Sequence, residues 1–249
     1  MPFSQAELIF LQTTESTNLF ALNLLKTRPL GEGSVIYTQS QTQGKGQGNN
    51  RWESEPGKNL TATIVLYPTF LQPENQFILT KIVSLSVCSM LDNYGLSHRA
   101  MIKWPNDIYI NQNKVGGILI NHEIAGNKIS MTIAGLGLNI NQESFSELAP
   151  GAASLKMITG NEFDLNEILT EWHKSMENWY RKLMKQDYKS IDAAYLERLY
   201  RLNQPAAYII RGERMEATIL GLAEYGMLLL KDNSGKQYKC ALQEIVFVK

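Results

Sequence analysis

Between residues 44 and 48 the chain reads Gly-Lys-Gly-Gln-Gly, alternate glycines with a cation set among them. Residues without a Cβ let several backbone N–H groups converge on one negative group, and Lys45 adds a charge of the opposite sign. The spacing is not that of a Walker A loop, because no Gly-Lys-Ser/Thr follows four residues after a glycine. It also fails the dinucleotide fingerprint, since Asn49 stands where the third glycine belongs and no helix follows. Two readings stay open: an anion cradle built from backbone, or a plain hairpin tip.

Two further clusters set polar or charged side chains beside residues that spare volume. Lys103-Trp104-Pro105-Asn106-Asp107 reads as a turn between two strands. Asn106 and Asp107 suit a turn held by side-chain-to-backbone bonds. They equally offer an amide and a carboxylate to a base, a ribose or a magnesium ion. Lys114-Val115-Gly116-Gly117-Ile118-Leu119 puts two glycines inside a strand, a mark of close approach by a ligand or another backbone. Lys114, at the entrance of that strand, is either a solvated charge or an electrostatic clamp. Gly135-Leu136-Gly137-Leu138-Asn139 repeats the device. Adjacent antiparallel strands that both spare volume predict a floor on which something lies flat.

Other reactive residue types form no constellation. His98, His122 and His173 share no metal-ligand spacing and read as surface or satisfied core histidines. Cys88 falls in a helix read as buried, so it packs rather than attacks. Cys88 and Cys240 lie far apart without a CxxC, which argues against a disulfide framework or a zinc cage. No G-x-S-x-G elbow is present. Trp172 and Trp179, at helical spacing, read as core.

The elements that must carry these clusters follow from periodicity. Leu8–Leu11 is a short strand, and Ser16 caps a helix whose Leu19, Leu22 and Leu25 recur at helical spacing. Ser34–Thr38 and Leu60–Tyr67 are strands flanking the long glycine-rich segment, whose length points to a functional loop. Residues 74–93 form a buried helix ended by Gly95. From Met101 to Asn141 the pattern is strand and turn, with reversals at Asn111-Gln112-Asn113 and Ala125-Gly126-Asn127 giving three antiparallel strands. Asp164 with Glu167 opens a helix lined by Leu165, Ile168, Leu169, Trp172, Met176, Trp179 and Leu183. A helical stretch over Ile191–Leu202 leads into Pro205, and five short strands follow. The expectation is an α+β fold. A mixed, largely antiparallel sheet flanked by helices occupies residues 1–203, and a small SH3-like β-barrel occupies 204–249.

Composition narrows the class. The chain has 249 residues, 44% apolar and 19% charged, enough to bury a substantial core. No apolar run approaches the roughly 20 residues of a membrane span, and the start lacks a secretory pattern. A cytoplasmic protein is expected. With 24 basic and 24 acidic residues and no basic stripe, nucleic acid is not an expected partner.

Taken together, Glu15-Ser16-Thr17-Asn18, Gln41-Thr42-Gln43-Gly44-Lys45-Gly46 with Trp52, Lys103–Asp107, Lys114–Leu119 and Gly135–Asn141 resemble the biotin–protein ligases in order and spacing. The resemblance covers essentially the whole chain and points to the short class, which lacks the DNA-binding repressor module. It implies a class II synthetase-like catalytic fold. It also implies an ATP-dependent enzyme that makes biotinyl-adenylate and pyrophosphate, then biotinylates a lysine of a carboxylase's biotin carboxyl carrier domain. ATP and biotin are the implied substrates, with Mg2+, and the implied assembly is a monomer or homodimer. Such chemistry needs many hydrogen-bond donors and few proton-transfer groups, which suits a chain without a His or Cys constellation.

The site residues carry over position by position. Ser16, Thr17, Asn18 and Gln41 are expected around the biotin ring, with Gly117 leaving it room. Gly44, Lys45, Gly46 and Gln47 are expected to close over its carboxylate and the adenylate phosphate. Lys114, with Lys45, is expected to polarise the reacting groups. Trp52, Asn106 and Asn139 are expected to contact the nucleotide, and Asp107 to help place magnesium. The sequence departs from the family's usual Gly-Arg-Gly-Arg-x-Gly: Lys45 and Gln47 replace the two arginines, and the later glycine falls at 48. Lysine lacks the bidentate fork of arginine and glutamine carries no charge. Lipoate–protein ligases and octanoyltransferases share the architecture, and a non-enzymatic biotin sensor or corepressor is the rival from another class. Against the first stands the Lys103–Asp107 turn followed by Lys114 and two glycines. Against the last stands the absence of a DNA-reading helix.

Overall fold

The structure, a computed structural model, describes residues 1–48, 50–96, 99–147 and 149–248. Asn49 and His98, both singled out in the sequence, lie outside them. The chain runs β1 (Leu8–Thr14), α1 (Thr17–Leu25), β2 (Val35–Gln41), β3 (Leu60–Leu66), α2 (Phe77–Leu91), β4 (Ala100–Lys103), β5 (Asp107–Ile110), β6 (Asn113–Ala125) and β7 (Lys128–Leu138). These seven strands form one sheet in the order β1-β2-β3-β7-β6-β5-β4. Only β1 and β2 pair in parallel; the other ladders are antiparallel. The region read as three strands holds four, because the Trp104–Asn106 turn divides the first of them from the second.

Alternation along β3 assigns the two faces of this sheet. Leu60, Ala62, Ile64 and Leu66 join the large core beneath α2, whereas Val65 joins Ala21 of α1, Ile36 and Ile133 in a second cluster. Thr63 shares the α1 face with Val65. Eleven residues of α2 are buried, so this helix shows no single apolar stripe. The leucine stripe expected of α1 holds in part: Leu22 and Leu25 pack half-buried against the second cluster, but Leu19 is exposed and the fully buried residues are Thr17, Asn18 and Ala21. The sheet beneath that first turn offers a threonine and a glycine rather than an apolar surface, so polar residues pack there instead.

Three helices follow: α3 (Leu155–Thr159), α4 (Leu165–Met184) and α5 (Tyr188–Glu197). The first is absent from the sequence expectation, and the last starts earlier and stops sooner than periodicity suggested. Asp164 caps α4 by accepting from Asn166 N and Glu167 N. The face of α4 is as expected, with Tyr180 added to it. Strands β8 (Pro205–Ile210), β9 (Glu213–Leu222), β10 (Leu228–Asp232), β11 (Gln237–Cys240) and β12 (Ile245–Phe247) make a second sheet in the order β11-β10-β9-β8-β12. Five strands were expected, but the sheet is open. Among the described residues no ladder joins β11 to β12, and Arg211 spans the gap by donating to Lys239 O and pairing with Glu244.

The two sheets share one continuous apolar cluster that contains both Ile102 and Tyr208. Trp104 Nε1 donates to Gly226 O at 2.8 Å, and Tyr195 OH donates to Pro105 O at 3.0 Å. The Trp104–Asn106 turn is therefore held from the second sheet and from α5. Among the described residues no helix is long and apolar enough to cross a membrane.

Candidate active site

A cavity of about 310 Å³ opens between the first turn of α1, the glycine loop, the middle of β6 and β7, and the C-terminal strand β12. Its neutral end is built by α1. Ser16 occupies the N-cap position with extended backbone (φ −157°, ψ 133°), yet its side chain makes no capping bond. Ser16 instead lines the cavity. Thr17 N donates to Gln41 Oε1 at 2.8 Å, and Thr17 Oγ1 lies 3.1 Å from the same oxygen. Thr63 Oγ1 lies 2.7 Å from both Thr17 Oγ1 and Asn18 Oδ1. Asn18 Nδ2 donates to Leu119 O at 3.1 Å. An amide oxygen only accepts, so Thr63 gives its proton to Asn18 and accepts from Thr17, leaving Gln41 to the Thr17 N–H. A connected polar network of this kind rigidifies what it holds.

The glycine loop folds back on itself. Gly46 N donates to Asn50 O at 2.8 Å, Trp52 N donates to Gly44 O at 3.0 Å, and Lys45 bridges Arg51 in antiparallel fashion. Lys45, Gly46 and Gln47 thereby reach the cavity. Gly44 does not line it. A Cβ at residue 44 would sit 2.5 Å from Trp52 O, so this glycine lets the two arms of the loop approach. Trp52 itself lies flat against β7: a Cβ at Gly137 would come 2.3 Å from the indole. The glycine floor expected from sequence is thus covered by the protein's own side chains, Trp52 on Gly137 and Asn18 on Gly135.

The cationic end depends on a β-bulge. Asp107 pairs with Gly117 and Ile108 with Gly116, but Tyr109 pairs with Lys114, so Val115 is the extra residue. In a regular strand, residues three apart point to opposite faces; the bulge brings Lys114 and Gly117 to the same one. Lys114 Nζ pairs with Asp107 Oδ1 at 2.6 Å, and both side chains remain about one third exposed (34% and 28%). The room left at Gly117 is bordered by these two groups, each 3.5 Å from where a Cβ would be. Asn106 is fixed by Nδ2 donating to Ile118 O, and Ile118 N donates back to Asn106 O at 3.2 Å. Lys103 Nζ donates to Tyr109 OH at 3.3 Å and lies 5.1 Å from the Phe247 ring centroid.

Most of the residues singled out in the sequence meet in this one chamber; Gly44 and Asn139 do not line it. Asn139 follows the end of β7, where its Nδ2 donates to Ala153 O at 3.2 Å beneath the chain leading into α3. Its Oδ1 and the Trp52 Nε1 are both buried without a hydrogen-bond partner. Sequence reading overlooked Arg51 and Lys103 as part of the cationic wall, Thr63 beneath the neutral end, and Val246 and Phe247 opposite. Arg51 and Lys103 carried a signal, since both stand inside or beside the quoted motifs. Four cations, Lys45, Arg51, Lys103 and Lys114, face one carboxylate, Asp107, among the described lining residues. An anionic ligand is favoured at this end and a neutral, hydrogen-bonding group at the other.

The remaining titratable candidates lie elsewhere. His122 Nδ1 is 2.9 Å from Thr132 Oγ1, and burial pushes its pKa down. His173 Nε2 is 2.9 Å from Gly33 O and so carries the proton. Burial pushes the Cys88 thiol up to about 12, which leaves it an inert core residue. Among the described residues, no three or more His, Cys, Asp or Glu side chains cluster as a metal site. The single cavity carboxylate is already engaged by Lys114.

The chain is similar to known proteins over most of its length. The model of the biotin/lipoate A/B protein ligase family matches residues 10–139. The chain is 27% identical over 235 residues to the biotin–[acetyl-CoA-carboxylase] ligase of Paracoccus denitrificans, covering 91% of this chain and 95% of that protein. It is 29% identical over 216 residues to biotin–protein ligase 2 of Arabidopsis thaliana, covering 83% and 64%. The chain spans about three fifths of the length of several curated relatives it matches. Among solved structures, the biotin protein ligase from Aquifex aeolicus in complex with biotin and ATP superposes with a TM-score of 0.79 at 25% identity, covering 98% of this chain and 99% of that one.

Proposed function

Because the chain belongs to the biotin/lipoate A/B protein ligase family, we propose that it is a biotin–protein ligase acting through biotinyl-adenylate. The observation that carries this reading is the neutral end of the cavity, where Thr17, Asn18 and Gln41 are held by a connected hydrogen-bond network beside Ser16. A ureido ring has a carbonyl and two N–H groups to match such a wall. The dithiolane of lipoate has none, and its entry would leave buried polar groups unpaired, a form of discrimination that reaches about 10⁴–10⁵ in well-built sites.

In the first step the biotin carboxylate attacks the α-phosphorus of ATP, the bond to the bridging oxygen breaks, and pyrophosphate leaves with the electron pair. The chain's part is positioning and charge. Lys114, held at the wall by Asp107, meets the charge that grows on the α-phosphate. Lys45 and the backbone of Gly46 and Gln47 cover the same region from the loop side. Trp52, which lines the cavity over Gly137, would border the nucleobase, with Asn106 in the turn and Asn139 supporting the end of β7 behind the wall. Magnesium reaches such a site as part of the nucleotide substrate, since Asp107 is committed to Lys114 and does not suit a resident metal.

In the second step the ε-amine of a carrier-domain lysine attacks the acyl carbon, the anhydride C–O bond breaks, and AMP leaves. The carrier is a biotin carboxyl carrier protein or domain, and the enzyme is cytoplasmic, a monomer or homodimer. Residues 1–203 are the catalytic unit, and the open sheet over 204–249 is the counterpart of an SH3-like module. Pyrophosphate exchange into ATP, run with biotin and with lipoate, tests the reading: exchange with biotin is expected. Exchange with lipoate alone, or with neither acid, refutes it.

A further inference from the structure

Thr63 stands opposite Gly135 across the β3–β7 ladder, and both contact the first turn of α1. Together they form a seat for one side chain. Gly135 supplies the room: a Cβ there would lie 2.4 Å from Asn18 Oδ1 and 3.0 Å from Asn18 Nδ2, so glycine alone admits Asn18 this close to the sheet. Thr63 supplies the polarity. It is fully buried (0% exposed), and its hydroxyl lies 2.7 Å from Asn18 Oδ1 and 2.7 Å from Thr17 Oγ1. Asn18 Nδ2 is held from the other side by Leu119 O. A flipped amide would set its oxygen against that carbonyl, two acceptors without a proton between them. Asn18 is therefore locked in one orientation, with one N–H left to the cavity.

We propose that Thr63 is a positioning residue for ligand choice, and that the Thr63–Gly135 pair holds Asn18 and Thr17 in the register that recognises a ureido head group. Thr63 is not among the lining residues of the cavity, so it acts only through those two side chains. The inference rests on the biotin-ligase reading and adds a residue that does not touch the ligand.

The test compares Thr63→Val, Thr63→Ser and Gly135→Ala with the parent protein. Biotin affinity is measured by calorimetry without ATP. The Asn18 side-chain NH₂ resonances, identified by their loss in Asn18→Asp, report the seat in the ligand-free protein. Thr63→Val keeps the shape and removes the hydroxyl. It is expected to weaken biotin binding roughly five- to ten-fold, the scale of one lost hydrogen bond, and to shift the Asn18 amide signal. Thr63→Ser restores the hydroxyl and is expected to bind within about two-fold of the parent. Gly135→Ala, which pushes Asn18 off the seat, is expected to lose more than Thr63→Val. In exchange assays the loss in Thr63→Val should fall on the KM for biotin, with the KM for ATP unmoved. A folded Thr63→Val that binds biotin like the parent, with an unmoved Asn18 amide signal, overturns the proposal. If the parent protein binds no biotin, the ligase reading fails separately, and an Asn18 amide signal unmoved in Thr63→Val then refutes the seat by itself.

Discussion

Lys114→Ala takes away one of the four cations among the described residues of the cavity and also leaves Asp107 without its partner. The two effects add and can be separated. Losing a well-placed donor to developing charge costs about 2.7–4 kcal/mol of barrier, or roughly 10²–10³ in rate. The second effect follows from the 2.6 Å Lys114–Asp107 pair. A phosphate oxygen at ordinary charge-assisted distance from Nζ, about 2.8 Å, would sit roughly 4.5–5.4 Å from the uncovered carboxylate oxygen. At an effective dielectric of about 20 two unit charges at that range repel by about 3 kcal/mol. Since about one third of each side chain meets solvent (34% and 28%), half that value is a fair allowance, about 1.5 kcal/mol or one further factor of ten. Lys114→Ala should therefore reduce biotin-dependent pyrophosphate exchange by roughly 10³–10⁴. Adding Asp107→Asn should restore about ten-fold of it. Exchange rates in the folded single and double variants, with biotin binding measured alongside, decide the matter. An intact rate in Lys114→Ala makes Lys114 a surface charge. A double variant slower than the single one means that Asp107 contributes more than a tether.

Gly137→Ala would force the Trp52 indole off β7, since the new Cβ would fall 2.3 Å from it. The KM for ATP should rise by roughly ten-fold or more while biotin affinity holds, and a loss of biotin binding instead would place Trp52 at the other end of the cavity. Gln47→Arg should slow escape of the adenylate several-fold in single-turnover trapping with hydroxylamine, because a charged hydrogen bond exceeds a neutral one by about 1 kcal/mol; unchanged release would place residue 47 away from the phosphate. Amide exchange across residues 45–48 should slow when biotin and ATP are both added, and no change would argue against an anion cradle. Burial holds the His122 pKa below its ordinary value. The unfolded chain then binds the extra proton first, so this residue's contribution is complete above about pH 6.5 and is lost as pH falls from there through the folded-state pKa. Melting measured at pH 5 and 7.5 should show a smaller acid loss in His122→Gln than in the parent.

The parts of the site visible in sequence are those whose geometry is set locally. The glycine loop closes through bonds between residues four to eight apart, Gly46 to Asn50 and Trp52 to Gly44. The turn ending in Asn106 and Asp107 is similarly compact. Composition and spacing suffice for such segments. The Ser16–Asn18 turn was readable from residue pattern as a helix start and from resemblance as part of the site, while the leucine spacing of α1 missed the polar residues that its first turn buries. Which face of a helix is buried depends on what lies beneath it, here Thr63 and Gly135 from two other strands.

Register is what sequence spacing does not carry. Had β5 and β6 paired without the bulge at Val115, Lys114 would point away from Gly117, and the cationic wall would lose its one residue from β6. Thr63 is a sharper case, because a threonine in a strand is ordinary in every local respect. Its role exists only because the ladder sets it against Gly135 and the crossover sets Asn18 above both. Phe247 and Val246 meet Lys103 and the cavity across more than half the chain, through packing of the second sheet that no short pattern encodes. A residue whose chemistry depends on a neighbour fixed by register can be recognised only after the strands are paired. A search for further determinants of ligand choice should therefore follow the β3–β7 and β6–β7 ladders rather than the motifs.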